Sequence, residues 1–314
     1  MSNAVIAASG LVVRYGEITA VHRLDFAVER GQVIGLIGPD GAGKTSSLRV
    51  FAGLLRPTAG SVEVLGRHAW QHRRALHHRL GYLAQRFALY GDLTVDENVE
   101  FFALLLGVKG WRARRDLLLE RVGLAAFRSR QADRLSGGMK QKLALACSLM
   151  HSPDILLLDE PTTGVDPVTR REFWRLLADL VAEGLTLVVA TPYLDEAERC
   201  SRVVLMHEGR VLADAPPGQL IRLLPGVVVE VSAQPRTLVA RALTGVPGVV
   251  DVRSFAARFH VRLELGEGAI DAIRSALEQA GAVVEEVRAI PAGLEDTFLH
   301  LTRTKGNHVV GEAA

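Results

Sequence analysis

The stretch that most constrains this chain is GPDGAGKT, residues 38–45, which stands between an apolar run, VIGLI, and a segment with helical periodicity, KTSSLRVFAGLL. It satisfies the pattern G-x-x-x-x-G-K-[ST] in the strand–loop–helix context that gives this pattern its meaning. Glycines let backbone N–H groups curl around phosphate oxygens, and the start of a helix favours anions. The sequence therefore predicts an α/β fold that carries a phosphate-binding loop.

Two side chains of this loop have predicted roles of their own. The ammonium of Lys44 can reach the β- and γ-phosphates of a nucleotide, and the hydroxyl of Thr45 can bind Mg²⁺. A glycine loop without a ligand is the plain alternative, which the flanking strand and helix disfavour. The loop residues predicted to bind the nucleotide are Gly38, Pro39, Asp40, Gly41, Ala42, Gly43, Lys44, Thr45 and Ser46.

A second motif, ILLLDEP, places two acids at the end of an apolar run. Such a run suits a strand of a parallel sheet that is buried on both faces. Asp159 then stands where it can hold the metal, and Glu160 stands beside it, where a carboxylate can polarise an attacking water. Alone, this pair is equally consistent with a helix cap or a solvated turn. Together with the phosphate loop, it favours a hydrolytic site.

A third motif, LSGGM at residues 135–139, opens a helical segment with two adjacent glycines. Ser136 is a natural N-cap, so the exposed backbone at Gly137 and Gly138 indicates a close approach to this helix start. A helix N-terminus favours anions, which predicts a phosphate. A tight loop without a ligand explains the same glycines and stays open at this point.

Composition excludes some classes of protein. The 314 residues are enough for two domains, and 48% of them are hydrophobic, so the chain can bury a sizeable core. A net charge of +2 argues against a dedicated nucleic-acid binder. Two cysteines give no disulfide framework. No apolar run approaches the length of a membrane span and no signal peptide is recognisable, so we expect a cytoplasmic chain.

The pattern of strands and helices predicts two domains joined by a linker within LADAPPGQLIRLLPG. The first covers residues 1–220 and alternates strands and helices, with a mostly helical stretch from about residue 71 and a helical subdomain at about 87–150. The second, residues 226–304, reads as β-α-β-β-α-β with a terminal helix, a ferredoxin-like α+β pattern. Residues 305–314 are predicted to form a flexible tail.

The motifs GPDGAGKT, LSGGM and LLLDEP, in this order, resemble those of the ATP-binding subunit of an ABC transporter, and the matches span roughly residues 10–215. The resemblance implies a P-loop NTPase fold of the ABC type. It implies that Tyr15 stacks on adenine and that Asp166, in TTGVDP, belongs to the D-loop and to the nucleotide-binding residues. It also implies that Gln85 contacts metal and water and senses the membrane subunit.

The resemblance further implies a dimer in which one copy's Ser136, Gly137 and Gly138 close over the ATP held by the other copy's phosphate loop. Two such subunits, identical or not, would drive a separately encoded membrane permease. Within the family, the sequence is most similar to the ABC-2 branch, notably bacterial multidrug or cation exporters. This similarity implies that the chain is a peripheral protein on the inner face of the cell membrane. Implied catalytic residues are Glu160, Gln85 and Lys44; implied metal ligands are Thr45, Gln85 and Asp159; the implied cofactors are ATP and Mg²⁺.

One position departs from the family pattern. In ATPYLDEAE, Pro192 occupies the place of the family's switch histidine, and proline has no side-chain donor for the γ-phosphate. Two hypotheses follow: a slow but active ATPase that relies on Glu160, Lys44 and Mg²⁺, or a weakly catalytic regulatory subunit. A soluble ABC ATPase without a transport role is a third. We favour the active ATPase, because every other motif is present.

Overall fold

A computed structural model describes residues 4–85, 89–255, 257–264 and 269–306 of the chain, which falls into two compact units, Met1–Pro217 and Gly218–Ala314. The strands of the first unit are β1 (Ala4–Tyr15), β2 (Ile18–Glu29), β3 (Val33–Ile37), β4 (Ala59–Val64), β5 (Arg67–His68), β6 (Leu80–Leu83), β7 (Ile155–Asp159), β8 (Thr186–Thr191), β9 (Arg202–His207) and β10 (Arg210–Ala215). Its helices are α1 (Lys44–Phe51), α2 (Arg73–Leu76), α3 (Val95–Leu105), α4 (Trp111–Arg121), α5 (Gly137–Ser148), α6 (Pro167–Ala182) and α7 (Leu194–Ala197).

The described strands of the first unit form two sheets. One is antiparallel in the order β2-β1-β4-β5, and the other has six strands in the order β10-β9-β3-β8-β7-β6. In the larger sheet β9, β3, β8, β7 and β6 are parallel, and only the edge strand β10 is antiparallel. Ile155, Leu156, Leu157 and Leu158 of β7 are fully buried, as a strand covered on both faces requires. The predicted α/β fold class is confirmed.

Three helices, α3, α4 and α5, lie between β6 and β7 along the chain. Helix α3 begins with a capping box in which Thr94 and Glu97 exchange hydrogen bonds, and Ser136 caps α5. The start predicted for the helical subdomain, residue 87, lies outside the described residues. Within the described ranges, no helix combines the length and the apolar character that crossing a membrane requires.

The prediction of a mostly helical stretch from residue 71 was wrong at its start. Residues Leu80–Leu83 form a strand, and α2 has four residues. The run LGYL is too short for periodicity to separate a strand from a helix. Its conformation is set by pairing with β7, where Leu80 lies opposite Ile155 and Leu83 opposite Leu158.

The second unit is a ferredoxin-like α+β fold. A short helix, α8 (Pro217–Ile221), starts where the first unit ends, close to the predicted boundary at residue 220. The elements that follow are β11 (Val227–Gln234), α9 (Arg236–Leu243), β12 (Val249–Phe255), β13 (Arg258–Leu263), α10 (Ala269–Gln279), β14 (Val283–Ile290) and α11 (Leu294–Gly306). The strands form an antiparallel sheet in the order β12-β13-β11-β14.

Two predicted boundaries need correction. Strand β10 occupies the beginning of the predicted linker, because it pairs with β9 as the edge of the large sheet. Helix α11 continues to Gly306, so the predicted tail does not begin at residue 305. Residues 307–314 lie outside the described residues.

Candidate active site

Four loops converge at one edge of the large sheet. Strands β3, β6, β7 and β8 are parallel, so the segments that follow them meet where the strands end, the usual place for a ligand in such sheets. These segments carry the phosphate loop, Gln85, the Asp159–Glu160 pair and Pro192. A pocket of about 330 Å³ opens there, lined by Ala20, Asp40, Gly41, Ala42, Gly43, Lys44, Thr45, Ser46, Gln85 and Glu160.

Glycine is required at the turns of the phosphate loop. Gly41 and Gly43 have φ angles of 80° and 95°, in the left-handed region. A Cβ at Gly38 would lie 2.1 Å from the carbonyl oxygen of Met206, and one at Gly43 would lie 2.5 Å from that of Ala20. Helix α1 begins immediately afterwards at Lys44, so its unpaired N–H groups face the pocket. The loop thus has the conformation in which backbone amides surround an anion.

Lys44 is a buried cation held by the loop itself. Its side chain is 4% exposed, and Nζ donates to the carbonyl oxygens of Gly38, at 2.7 Å, and Pro39, at 2.9 Å. Burial lowers the pKa of Lys44, while Glu160, Asp40 and Asp159 oppose that change. A positive charge is therefore fixed in the wall of the pocket, where an incoming phosphate would compensate it.

Thr45 and Asp159 form an oxygen pair beside the loop. Thr45 Oγ1 donates to Asp159 Oδ1 at 2.8 Å, and the Tyr82 hydroxyl donates to Asp159 Oδ2 at 3.2 Å. Asp159 is almost fully buried, and burial raises its pKa. Among the described residues, no group of three or more His, Cys, Asp or Glu is arranged so that it could hold a metal ion. One hydroxyl and one carboxylate fit Mg²⁺, which takes few protein ligands and completes its shell with water and phosphate.

Glu160 lies next in the chain and is held by two donors. Its Oε2 accepts from Gln85 Nε2 at 2.8 Å and from Thr163 Oγ1 at 3.2 Å, and its Oε1 lies 4.0 Å from Lys44 Nζ. The backbone of Glu160 has a φ of 49°, a conformation that costs free energy outside glycine. The strained turn points a carboxylate into the pocket, where it can orient a water and take its proton.

Tyr15 lies at the rim of this site. Its hydroxyl is 3.3 Å from Ser46 Oγ, and 45% of the residue is exposed. Tyr15 ends β1, which belongs to the antiparallel sheet, so two sheets contribute to the surroundings of the phosphate loop. The exposed ring is free to contact a flat base.

The motif residues Ser136, Gly137 and Gly138 do not line the pocket that contains Lys44. A Cβ at Gly138 would lie 2.2 Å from Thr169 Cγ2, so this glycine lets α5 pack closely on α6. A Cβ at Gly137 would have a single neighbouring atom, at 3.7 Å, and otherwise open space. Gly137 also lines a second pocket together with Gln85. The sequence predicted a close approach to both glycines. Within one chain, the structure explains this prediction only for Gly138, which packs against Thr169.

Asp166 also lies outside the phosphate pocket. Its Oδ1 accepts from the backbone N–H groups of Val168 and Thr169, each at 3.0 Å, and it caps α6. Hydrogen bonding from the Thr169 side chain, and then from these backbone groups, lowers the pKa of Asp166. One copy of the chain therefore brings together the loop, Gln85, Asp159 and Glu160, and presents Ser136, Gly137 and Asp166 elsewhere on an exposed surface.

Two residues of the site escaped the sequence analysis. Thr163 and Tyr82 hold Glu160 and Asp159 respectively, yet neither of them was assigned a role from the sequence. Tyr82 could have been found as the one hydroxyl within the apolar run LGYL, and Thr163 as a hydroxyl three residues after Glu160.

Residues that do not line the pocket hold the loop after β8 in place. Pro192 follows Thr191, and the guanidinium carbon of Arg170 lies 4.3 Å from the ring centroid of Tyr193. The fully buried Glu196 accepts a hydrogen bond from Thr162. These contacts fix the loop, but Pro192 brings no donor to the site.

Comparisons with known proteins identify relatives of this chain. The sequence profile of the family described as "ABC transporter" matches residues 21–163. The chain is 46% identical over 219 residues to the probable multidrug ABC transporter ATP-binding protein YbhF of Escherichia coli (strain K12), an alignment that covers 69% of this chain and 38% of that protein. It is 39% identical over 310 residues to the daunorubicin resistance ATP-binding protein DrrA3 of Streptomyces coeruleorubidus, covering 96% and 97%.

A solved structure, an ATP-binding subunit of an ABC transporter, superposes with a TM-score of 0.63 at 27% identity, covering 70% of this chain and 92% of that one. The chain spans just over a third of the length of YbhF and nearly the whole length of DrrA3.

Proposed function

We propose that this chain, which belongs to the ABC transporter family, binds and hydrolyses ATP as the motor subunit of an ABC-2-type membrane exporter. The observation that carries the proposal is the placement of Glu160. Its carboxylate lies 4.0 Å from the cation of the phosphate loop and one residue from the buried acid that faces Thr45. A base, a phosphate cradle and a pair of oxygen ligands in one pocket are the parts that phosphoryl transfer to water requires.

The chain's own residues divide the chemistry between them. Lys44 and the amides of residues 38–46 bind the β- and γ-phosphates, and the exposed ring of Tyr15 stacks on the base. Thr45, Asp159 and Gln85 hold Mg²⁺, which when bound draws charge from the phosphate oxygens. Glu160 orients the attacking water and takes its proton. Gln85, which donates to Glu160 in this structure, would contact the metal and the water when Mg²⁺ is bound.

A second copy, or a related subunit, completes the site. Ser136 and Gly137 are exposed at the start of the twelve-residue helix α5, away from their own chain's phosphate loop. Their N–H groups and the helix dipole suit the γ-phosphate bound by a partner. We propose that Ser136, Gly137, Gly138 and Asp166 act across this dimer interface, so that ATP closes the dimer and hydrolysis opens it.

The proposed membrane partner is a separately encoded permease on the inner face of the cell membrane. An apolar groove of about 220 Å³ is lined by Leu54 and Leu105, whose residues are 56% and 66% exposed, together with Phe102 and Tyr82. Large exposed apolar side chains around a groove favour a protein partner. The names of YbhF and DrrA3, a multidrug transporter subunit and a daunorubicin resistance protein, support export as the direction of transport.

The test is the variant Glu160→Gln in the full chain. We expect turnover of ATP to fall by about 100-fold or more, because the base is lost, while Mg-ATP now traps a dimer that light scattering detects. Glu172→Gln, which removes an exposed carboxylate paired with Lys142, is the matched control and keeps wild-type turnover. Wild-type turnover in Glu160→Gln, with no dimer in Mg-ATP, would refute the proposal.

A weakly catalytic regulatory subunit is the second candidate, and Pro192 is the observation that favours it. In that case the wild-type chain turns ATP over no faster than Glu160→Gln, although both bind Mg-ATP and dimerise. The same assay therefore separates the two functions.

A further inference from the structure

Tyr82 contacts the predicted metal ligand, Asp159, at the carboxylate oxygen that Thr45 does not bind. Asp159 is 1% exposed, and each of its oxygens accepts one hydrogen bond: Oδ1 from Thr45 and Oδ2 from Tyr82. The two donors differ in whether they have a second role at the site. Thr45 is itself one of the residues that would hold the cation, whereas Tyr82 has no such second role.

The ring and the hydroxyl of Tyr82 serve different purposes. The ring is half-buried and lines the apolar groove with Leu54, Leu80 and Phe102, a packing role that phenylalanine would fill equally well. A buried hydroxyl costs free energy unless it is hydrogen-bonded. The hydroxyl of Tyr82 is therefore explained by its bond to Asp159 and not by the groove.

A cation supports this hydroxyl from outside. The guanidinium of Arg49, on α1, lies close enough to the Tyr82 hydroxyl for its charge to act on it, while the phenol donates its proton to Asp159. A positive charge beside a hydroxyl strengthens the hydrogen bond that this hydroxyl donates, so Arg49 favours the bond from Tyr82 to Asp159.

We propose that Tyr82, supported by Arg49, is a positioning residue that orients the Asp159 carboxylate toward the divalent cation of the bound nucleotide. The inference rests on the proposed function. Tyr82 fixes Oδ2 of the carboxylate, so Asp159 would be held in place as a ligand when the cation is present. The ring of the same side chain lines the groove, so Tyr82 also joins the proposed docking surface to the metal ligand.

The experiment measures binding of a fluorescent ATP analogue to the full chain, first in EDTA and then over a Mg²⁺ titration. Partners of metal ligands are typically worth 10- to 100-fold in metal affinity. For Tyr82→Phe we expect the Mg²⁺ concentration that gives half-maximal enhancement to rise by about tenfold, with affinity in EDTA unchanged. Arg49→Gln, a change at an exposed residue, gives a smaller rise in the same direction.

Tyr90→Phe is the matched control, because the ring of Tyr90 packs on Phe101 while the residue is 45% exposed; it leaves the titration unchanged. A half-maximal Mg²⁺ concentration for Tyr82→Phe within twofold of wild type would overturn the inference. So would an equal loss of affinity in EDTA and in Mg²⁺, which indicates loosened packing. Failure of the wild-type chain to bind the nucleotide at all would instead refute the proposed function.

Discussion

The Nζ of Lys44 lies 4.0 Å from the Oε1 of Glu160, and both residues are more than nine-tenths buried. A buried cation and a buried carboxylate each depend on the other for compensation, since an unpaired charge in such a place is costly. A phosphate that enters the pocket offers Lys44 a stronger anionic partner. Its arrival would therefore free Glu160 from Lys44, which the proposed role of this carboxylate in orienting water requires.

Thr163 is the first residue at which this arrangement can be tested. Its hydroxyl and the Gln85 amide both donate to Glu160 Oε2, so Thr163→Val leaves the carboxylate held by one donor. We expect kcat to fall by roughly tenfold, a fraction of what general-base catalysis contributes, with KM for ATP unchanged. Thr163→Ser keeps the hydroxyl and restores kcat. A rise in KM without a fall in kcat would contradict a role in positioning Glu160.

The adjacent glycines of LSGGM should behave differently when each is replaced. In Gly138→Ala the new methyl group meets Thr169 Cγ2, and overpacking of this kind costs about 1–3 kcal/mol in the free energy of unfolding. Thr169→Ser removes that methyl group and should restore part of the stability. Chemical denaturation of the two variants and of the double variant measures this coupling.

Gly137→Ala provides the comparison. A Cβ there has room, so the free energy of unfolding stays close to wild type. Because Gly137 is exposed at the proposed interface, we expect the Mg-ATP-dependent dimer of the Glu160→Gln background to weaken. Equal losses of stability in the two alanine variants would show that Gly138 has no special packing role.

Local pattern sufficed for some of these features and not for others. The phosphate loop and the strand that ends at Asp159 follow from contiguous residues whose chemistry is unusual enough to identify them, and the family resemblance is confirmed. The predicted roles of Tyr15, Gln85, Ser136 and Asp166 remain predictions. A single chain brings Gln85 to Glu160, but it leaves Ser136 and Asp166 apart from the phosphate pocket.

What local pattern missed depends on contacts between distant segments. Leu80–Leu83 becomes a strand only because β7 lies beside it, and Tyr82 reaches Asp159 only once that pairing exists. The packing of Gly138 on Thr169 requires the crossing of α5 and α6. The spacing of residues along the chain does not show which of these distant segments come into contact.

Both thiols should be unreactive in the folded chain. Cys147 and Cys200 are buried; burial raises the pKa of Cys147 well above its usual range and that of Cys200 to about 12. A raised pKa means less thiolate at any pH below it, and the thiolate is the reactive form. At pH 8 we expect labelling by Ellman's reagent only after denaturant unfolds the chain. Fast labelling that is independent of denaturant would contradict this assignment.

Pro192→His tests whether the missing donor limits catalysis. The loop that carries Pro192 is anchored by the stacking of Arg170 on Tyr193 and by the bond between Thr162 and Glu196, so it should keep its position when residue 192 changes. A histidine there could donate to the γ-phosphate, and a single donor at developing negative charge is commonly worth about 100-fold or more in kcat. We expect a more modest gain of roughly tenfold, because Glu160 and Lys44 already act on the same phosphate.

Pro192→Ala is the control that relieves the proline without adding a donor, and it should leave kcat near wild type. If Pro192→His and Pro192→Ala turn ATP over equally, the chain does not depend on a donor at this position, and slow hydrolysis would have to arise elsewhere in the site.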